Sequence, residues 1–302
     1  MRFELPALID PELWALVDES RAFYAERPPG RGPNGVEELR AVRAAALEPA
    51  VSDPPPTSEL VAVGDRRVPV RIHTPAGTPT GVYLEFHGGG FYIGSAAGSD
   101  IRNRRLSDAL GVVVVSVDYR LAPEHPWPAA PEDCETAALW LADHAESRFG
   151  TVQLALGGFS AGATLAVTTF LRLRDRGITA FSGGVLQFGT YDLAAQTPAG
   201  RHICDEYFLD AYAGTAPDRA DPDLSPAFAE LVDIPPVLIV IGSDDILLED
   251  NLAMATRLSA AGVTVDLRIY PASPHGFTGH PIPMADAAVD NIDSWLRALL
   301  NS

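Results

Sequence analysis

The chain contains no lysine. All 22 of its basic side chains are arginine, set against 40 Asp and Glu, for a net charge of −18. Without lysine there is no Gly-Lys phosphate loop of the Walker type. An acidic surface also repels phosphate backbones and anionic headgroups, so neither a nucleic-acid partner nor a membrane partner is predicted. Cysteine is scarce as well. Cys134 and Cys204 lie far apart and form no C-x-x-C pair, which excludes a disulfide framework or a zinc knuckle. Two free thiols predict a reducing, cytoplasmic setting. No run of 18 apolar residues is present, and no basic start leads into an apolar stretch, so neither a membrane span nor a secretory signal is expected. The seven histidines include no H-E-x-x-H, and no Asp-rich calcium loop occurs, so no metal and no cofactor are predicted.

What is present is a long, ordinary globular composition, 302 residues with 47% hydrophobic side chains. This suits one catalytic domain with a small accessory region. Residues 11–25 carry Leu13, Trp14, Leu16, Val17, Phe23 and Tyr24 near helical spacing, and a second helix fits Val36–Leu47. Pro28, Pro29 and Pro33 break the chain between them, and Pro54-Pro55-Pro56 follows. Residues 1–56 therefore read as a helical appendage to a domain spanning 57–302.

Within that domain the rhythm alternates. Strands are predicted at Glu59–Val63, Val68–His73, Val82–Phe86, Val112–Val117, Val152–Leu156, Val185–Phe188, Val237–Ile241 and Val265–Ile269, the first two as a hairpin. Helices fit Ile101–Leu110, Cys134–Phe149, Ala161–Arg174, Glu249–Ala261 and Met284–Leu300. Such alternation implies an α/β fold with a mostly parallel eight-stranded sheet covered by helices on both faces. The proline- and aromatic-rich stretch 193–234 interrupts the rhythm and reads as an insertion over the sheet's carboxyl edge.

Gly158-Phe159-Ser160-Ala161-Gly162 matches G-x-S-x-G between a strand and an apolar helix. Five residues with three fixed identities are weak alone, since a small-residue turn would look the same. The strand–turn–helix context turns the weight toward a nucleophilic serine, Ser160. His87-Gly88-Gly89-Gly90 follows the strand Val82–Phe86. A tetrahedral oxyanion needs amide donors already in place, and glycines let backbone approach substrate. The candidate donors are Gly88, Gly89 and Gly90 together with Ala161. His87 itself reads as a structural hydrogen-bonding residue.

A serine hydroxyl needs a base, and the base an orienting carboxylate. Three histidines lie downstream: His202 in the insertion, His275 in the loop after the last strand, and His280 five residues on. Loop position favours His275. Val237–Ile241 leads into Asp244-Asp245, and spacing does not choose between the two acids. The one not used is expected to cap the following helix.

Taken together, His87–Gly90, Asp118–Pro126, Gly158–Gly162, Asp245–Asn251 and Tyr270–Phe277 resemble the hormone-sensitive-lipase-like esterases, the bacterial family IV carboxylesterases of the α/β-hydrolase superfamily. The resemblance runs from about residue 60 to the end. It implies a serine carboxylic-ester hydrolase with Ser160 as nucleophile, Asp245 as acid and His275 as base, a structural role for Asp118–Pro126, and a helical cap built from residues 1–56 and part of 193–234. Phe159 departs from it, standing where relatives carry an acidic or small residue, as does Ala163, where glycine is common. The substrate is then a small-molecule ester with a short to medium acyl group, held by Phe91, Tyr92, Phe159, Tyr191, Phe208 and Phe277. A catalytically silent binding protein of the same fold, or a lactonase or dehydratase using the same site, is the alternative. The last strand, near Val265–Ile269, is a candidate homodimer edge.

Overall fold

The computed structural model describes residues 4–27 and 30–301. The breaker reading at Pro28-Pro29 lies outside them. The first helices are α1 (Val17–Ala25), entered through a 3-10 turn over Pro11–Leu16, and α2 (Val36–Ala45). The hairpin β1 (Thr57–Val63) and β2 (Arg66–His73) follows, then β3 (Val82–Phe86), α3 (Asp100–Leu110), β4 (Val113–Val117) and α4 (Ala129–Phe149). Next come β5 (Leu154–Phe159), α5 (Ala161–Asp175), β6 (Phe181–Gln187) and the short helices α6 (Pro198–Arg201) and α7 (Tyr207–Ala213). The chain ends with β7 (Val237–Gly242), α8 (Leu248–Ala260), β8 (Val265–Tyr270) and α9 (Pro283–Leu300).

The strands form one eight-stranded sheet in the order β1-β2-β4-β3-β5-β6-β7-β8. β1 pairs with β2 and β2 with β4 in antiparallel fashion; every later pairing is parallel. The predicted α/β architecture with an eight-stranded, mostly parallel sheet is the one observed. Its alternation is visible in β4, where Val113, Val115 and Val117 join the core under α4, α5 and α8, while Val114 joins that under α1, α3 and α9. A strand buried on both faces reads as the continuous β-branched run seen here.

Guanidinium groups do all the cationic work in this lysine-free chain. Buried Glu135 on α4 faces Arg66, Arg172 and Arg176, and Arg105 grips Asp293 through two nitrogens at 2.7 and 2.9 Å. The planar fork suits such bidentate pairing better than an ammonium does.

Parallel strands place their carboxyl ends at one edge, where α/β folds gather functional loops. The turns after β3, β5, β7 and β8 converge there. The N-terminal segment is tied to the same edge. Arg43 of α2 donates to the carbonyls of Tyr92 and Ala122 and pairs with Glu124 at 2.8 Å. Ser20 of α1 donates to the Ala272 carbonyl at 2.6 Å.

Candidate active site

β5 runs into a sharp turn at Ser160 and straight on into α5. Ser160 has φ 54° and ψ −122°, a conformation costly for a residue with a Cβ. The turn is held by the Ser160 amide donating to the Gln187 carbonyl at 2.9 Å. It is permitted by close approach, because a Cβ on Gly162 would lie 2.0 Å from the Phe86 carbonyl oxygen. The strain lifts the serine hydroxyl above the sheet edge at the start of α5.

There the Ser160 hydroxyl lies 3.0 Å from His275 Nε2, and His275 Nδ1 lies 3.0 Å from Asp245 Oδ2. Nδ1–H donated to the carboxylate leaves the Nε2 lone pair facing the hydroxyl. Asp245 is buried and is fixed by the Leu247 amide, which donates to Oδ1 at 2.8 Å. Its neighbour Asp244 points elsewhere and accepts from the Ser243 hydroxyl at 2.8 Å. The other histidines lie apart from this line. His280 contacts the Tyr24 hydroxyl at 2.9 Å, and His202 is exposed beside Glu249.

The His87–Gly90 loop approaches Ser160 from β3. At Gly89 φ is +117°, and a Cβ there would lie 2.1 Å from the Ile93 carbonyl oxygen, so only glycine is accommodated. Among the described residues, no hydrogen bond occupies the amides of Gly88, Gly89 and Gly90. His87 is buried and stacks on Tyr119, with ring centroids 4.1 Å apart, and its Nδ1 donates to the Gly88 carbonyl at 2.8 Å. Burial pushes its pKa down, which keeps the ring neutral. Tyr119 donates in turn to the His87 carbonyl at 2.8 Å, and Asp118 accepts from the Ala96 amide at 2.9 Å. The Asp118–Pro126 segment thus scaffolds the glycine loop.

Phe159 has a definite berth. Its ring presses against Gly88, where a Cβ would come within 2.6 Å of it, and the Arg102 guanidinium sits 4.1 Å from the ring centroid. Arg102 is anchored by Glu85 at 2.6 Å. The aromatic side chain therefore joins the serine turn to the glycine loop and is capped by a cation.

A cavity of about 440 Å³ opens beside Ser160 and His275. Tyr92, Phe159 and Phe208 line it, with Gly89, Gly90 and Ala161 at its floor. Three predicted walls do not line it. Phe91, at φ 61°, turns inward and stacks on Tyr212 with centroids 3.8 Å apart. Tyr191 is fully buried and lies beneath Gly189. Phe277 is fully buried against Tyr270, centroids 5.2 Å apart.

A family model described as the alpha/beta hydrolase fold matches residues 83–279. The chain belongs to the hormone-sensitive-lipase-like carboxylesterases. It is 36% identical over 232 residues to the carboxylic ester hydrolase LipN of Mycobacterium tuberculosis, covering 70% of this chain and 61% of LipN. To the carboxylesterase NlhH of the same organism it is 31% identical over 301 residues, covering 93% and 92% of the two chains. The crystal structure of EstE5, soaked with p-nitrophenyl butyrate, superposes with a TM-score of 0.78 at 26% identity, covering 97% of this chain and all of that one.

The carboxylesterase cavity also has walls that sequence reasoning missed: Phe188, Ile203, Glu206, Ile246 and Leu247. Three of them carried a usable signal. Phe188 directly follows β6, and Ile246-Leu247 directly follow Asp245, so all three sit at strand carboxyl ends. Ile203 and Glu206 lie in the insertion, whose register over the sheet no local pattern announces. Among the described residues no helix is long and apolar enough to cross a membrane, and no group of three His, Cys, Asp or Glu gathers as a metal centre.

Proposed function

We propose that this carboxylesterase cleaves short to medium acyl esters through an acyl-enzyme on Ser160. Ser160 Oγ attacks the ester carbonyl carbon while its proton passes to His275 Nε2. The carbonyl oxygen becomes an oxyanion, received by the amides of Gly89, Gly90 and Ala161, with Gly88 alongside. The carbon–alkoxide bond then breaks, and the leaving alcohol takes the proton from Nε2. A water repeats the sequence in reverse roles, giving carboxylic acid and free Ser160. Asp245 holds the imidazole in register and stabilises the imidazolium while it lasts. The observation that carries this reading is the unbroken hydrogen-bond line from Ser160 through His275 to Asp245.

The acyl preference rests on cavity size, since about 440 Å³ is a small-molecule volume. Residues 30–32 and 203–208 supply part of the wall, which supports reading segments 1–56 and 193–234 together as a cap. A p-nitrophenyl ester series from acetate to palmitate tests the proposal beside Ser160→Ala. Turnover should peak at or below octanoate and vanish in the variant. A maximum at palmitate would overturn the acyl preference, and full activity in Ser160→Ala would overturn the mechanism.

We further propose a cytoplasmic homodimer. Cys134 and Cys204 are both free, which suits a reducing compartment. β8 ends the sheet order, leaving Val265 and Leu267 half-buried at an edge available for pairing. Sedimentation at micromolar concentration, with Leu267→Arg as the disrupting variant, distinguishes a dimer from a monomer.

A further inference from the structure

The cavity wall mixes two kinds of side chain. Phe159, Phe188 and Leu247 line it together with Ser160 and His275. Tyr92 and Phe208, which pack at Gly90, share it with Ile203 and a single carboxylate, Glu206. Glu206 stands immediately before α7, where an acidic side chain ordinarily caps the helix. Here the Glu206 side chain makes no capping bond. Among the described residues no hydrogen bond or ion pair engages it, although its side chain is only partly exposed.

Arg31, the guanidinium in the same wall, is already held by Glu38 at 3.0 Å. The cavity therefore keeps an unbalanced negative charge. Aromatic groups surround it. The Tyr92 ring lies 6.3 Å from those of both Tyr207 and Phe208, close to stacked on the latter. Glycine at position 32 makes room for the arrangement, since a Cβ there would lie 2.6 Å from Tyr92 Oη and 3.5 Å from Glu206 Oε2. The Tyr92 hydroxyl titrates high, pushed up to about 12 by burial first and by the Glu206 charge second.

We propose that this enzyme selects esters bearing an ammonium group, which docks against Tyr92 and Phe208 and opposite the Glu206 carboxylate. The inference deepens the Ser160-centred hydrolysis above and rests on it. Among the described residues no cation pairs with the Glu206 carboxylate. A substrate cation supplies that partner and adds its attraction for the electron-rich ring faces. An anionic ester meets the opposite effect, because the same carboxylate repels it.

The test is a matched pair, butyrylcholine and its uncharged isostere 3,3-dimethylbutyl butyrate. The two share shape, acyl group and leaving oxygen, and differ in one charge. Wild type should favour the choline ester by about ten-fold in kcat/KM. Glu206→Gln should cut that ratio to about two-fold, the part owed to the rings. Glu249→Gln removes an exposed carboxylate outside the cavity and should leave the ratio near its wild-type value. Equal turnover of both esters by wild type would overturn the inference while leaving ester hydrolysis standing. So would a ratio that survives Glu206→Gln, or one that Glu249→Gln lowers equally, since the preference would then belong to the general field of an acidic protein. Failure to cleave either ester would overturn this inference together with the esterase reading beneath it.

Discussion

The floor of the cavity and its Glu206 wall are built by different means. On the floor, each group is fixed several times over. Ser160 is clamped by a strained turn, Asp245 by the Leu247 amide, and the Gly88–Gly90 loop by His87, Tyr119 and Asp118. The Glu206 wall is built from residues 30–32, from Tyr92 just past the glycine loop and from the start of α7, a helix of two turns, and its carboxylate is bonded to nothing among the described residues. The contrast separates two tasks. Chemistry needs donors and base placed to fractions of an ångström before substrate arrives. Selection needs only apolar area and charge in roughly the right place.

Breaking the floor should therefore cost orders of magnitude. Asp245→Asn keeps the shape but no longer holds the imidazole tautomer that presents a lone pair to Ser160. A loss of about 10⁴-fold in kcat is expected, with KM little changed. Steady-state kinetics on p-nitrophenyl butyrate measures this, and a loss below ten-fold would remove Asp245 from the mechanism. Gly89→Ala comes next. Its Cβ meets the Ile93 carbonyl oxygen, so the loop must shift and its amides leave their positions. We expect a fall of about 10²–10³-fold in kcat. An unchanged thermal midpoint alongside that fall would locate the damage in the loop rather than the fold.

The same contrast marks what was legible in the sequence. The floor could be read because each piece lies at the carboxyl end of a strand and carries a short local pattern. Misreadings clustered at glycine and proline. The predicted strand Val152–Leu156 is in fact Leu154–Phe159, because Gly157 and Gly158 continue the ladder instead of ending it. Gly157 is there for room, since a Cβ would fall 2.3 Å from the Val185 carbonyl oxygen of the neighbouring strand. β6 likewise begins at Phe181, four residues earlier than predicted, through Gly183-Gly184. α4 starts at Ala129 rather than Cys134, with Pro131 inside its first turn. Proline is tolerated there because that turn's amides have no partner within the helix. The Glu206 wall was the least legible part. Whether an aromatic faces a cavity or the core is decided by backbone turns such as that at Phe91, which composition does not encode.

Between floor and wall lies a buried joint. Asp250 on α8 accepts from the Tyr191 amide at 2.5 Å, and Asn251 beside it exchanges hydrogen bonds with Gly189, pinning the chain where it leaves β6 for the insertion. Burial raises the Asp250 pKa to about 6, with Asp192 adding repulsion, although the Tyr191 amide opposes the shift. A carboxyl whose folded pKa lies above its unfolded value takes up protons on folding. It therefore favours the native state at low pH and costs stability as pH rises to about 6. Asp250→Asn removes that dependence. Relative to wild type, the variant should gain about 2 kcal/mol of unfolding free energy between about pH 4.5 and pH 7.5. Urea denaturation at the two pH values measures the difference. Parallel behaviour of the two proteins would mean Asp250 is ionised at no cost.

The wall itself should yield the smallest effect and the most selective one. Phe208 is half-buried, with one side toward the cavity and the other 6.4 Å, centroid to centroid, from Phe91. Phe91 is locked against Tyr212, so Phe208→Ala leaves it in place and lengthens the cavity rather than collapsing it. Each further methylene of an alcohol chain reaching the new space would then be worth up to about 0.8 kcal/mol, or about four-fold. In a series of n-alkyl butyrates the optimum alcohol length should move up by one or two carbons, with methyl butyrate turnover changed by no more than about three-fold. If methyl and octyl butyrate fell together by the same large factor, Phe208 would be holding the floor in place. The division between a rigid site of chemistry and a loosely hung site of selection would then be wrong.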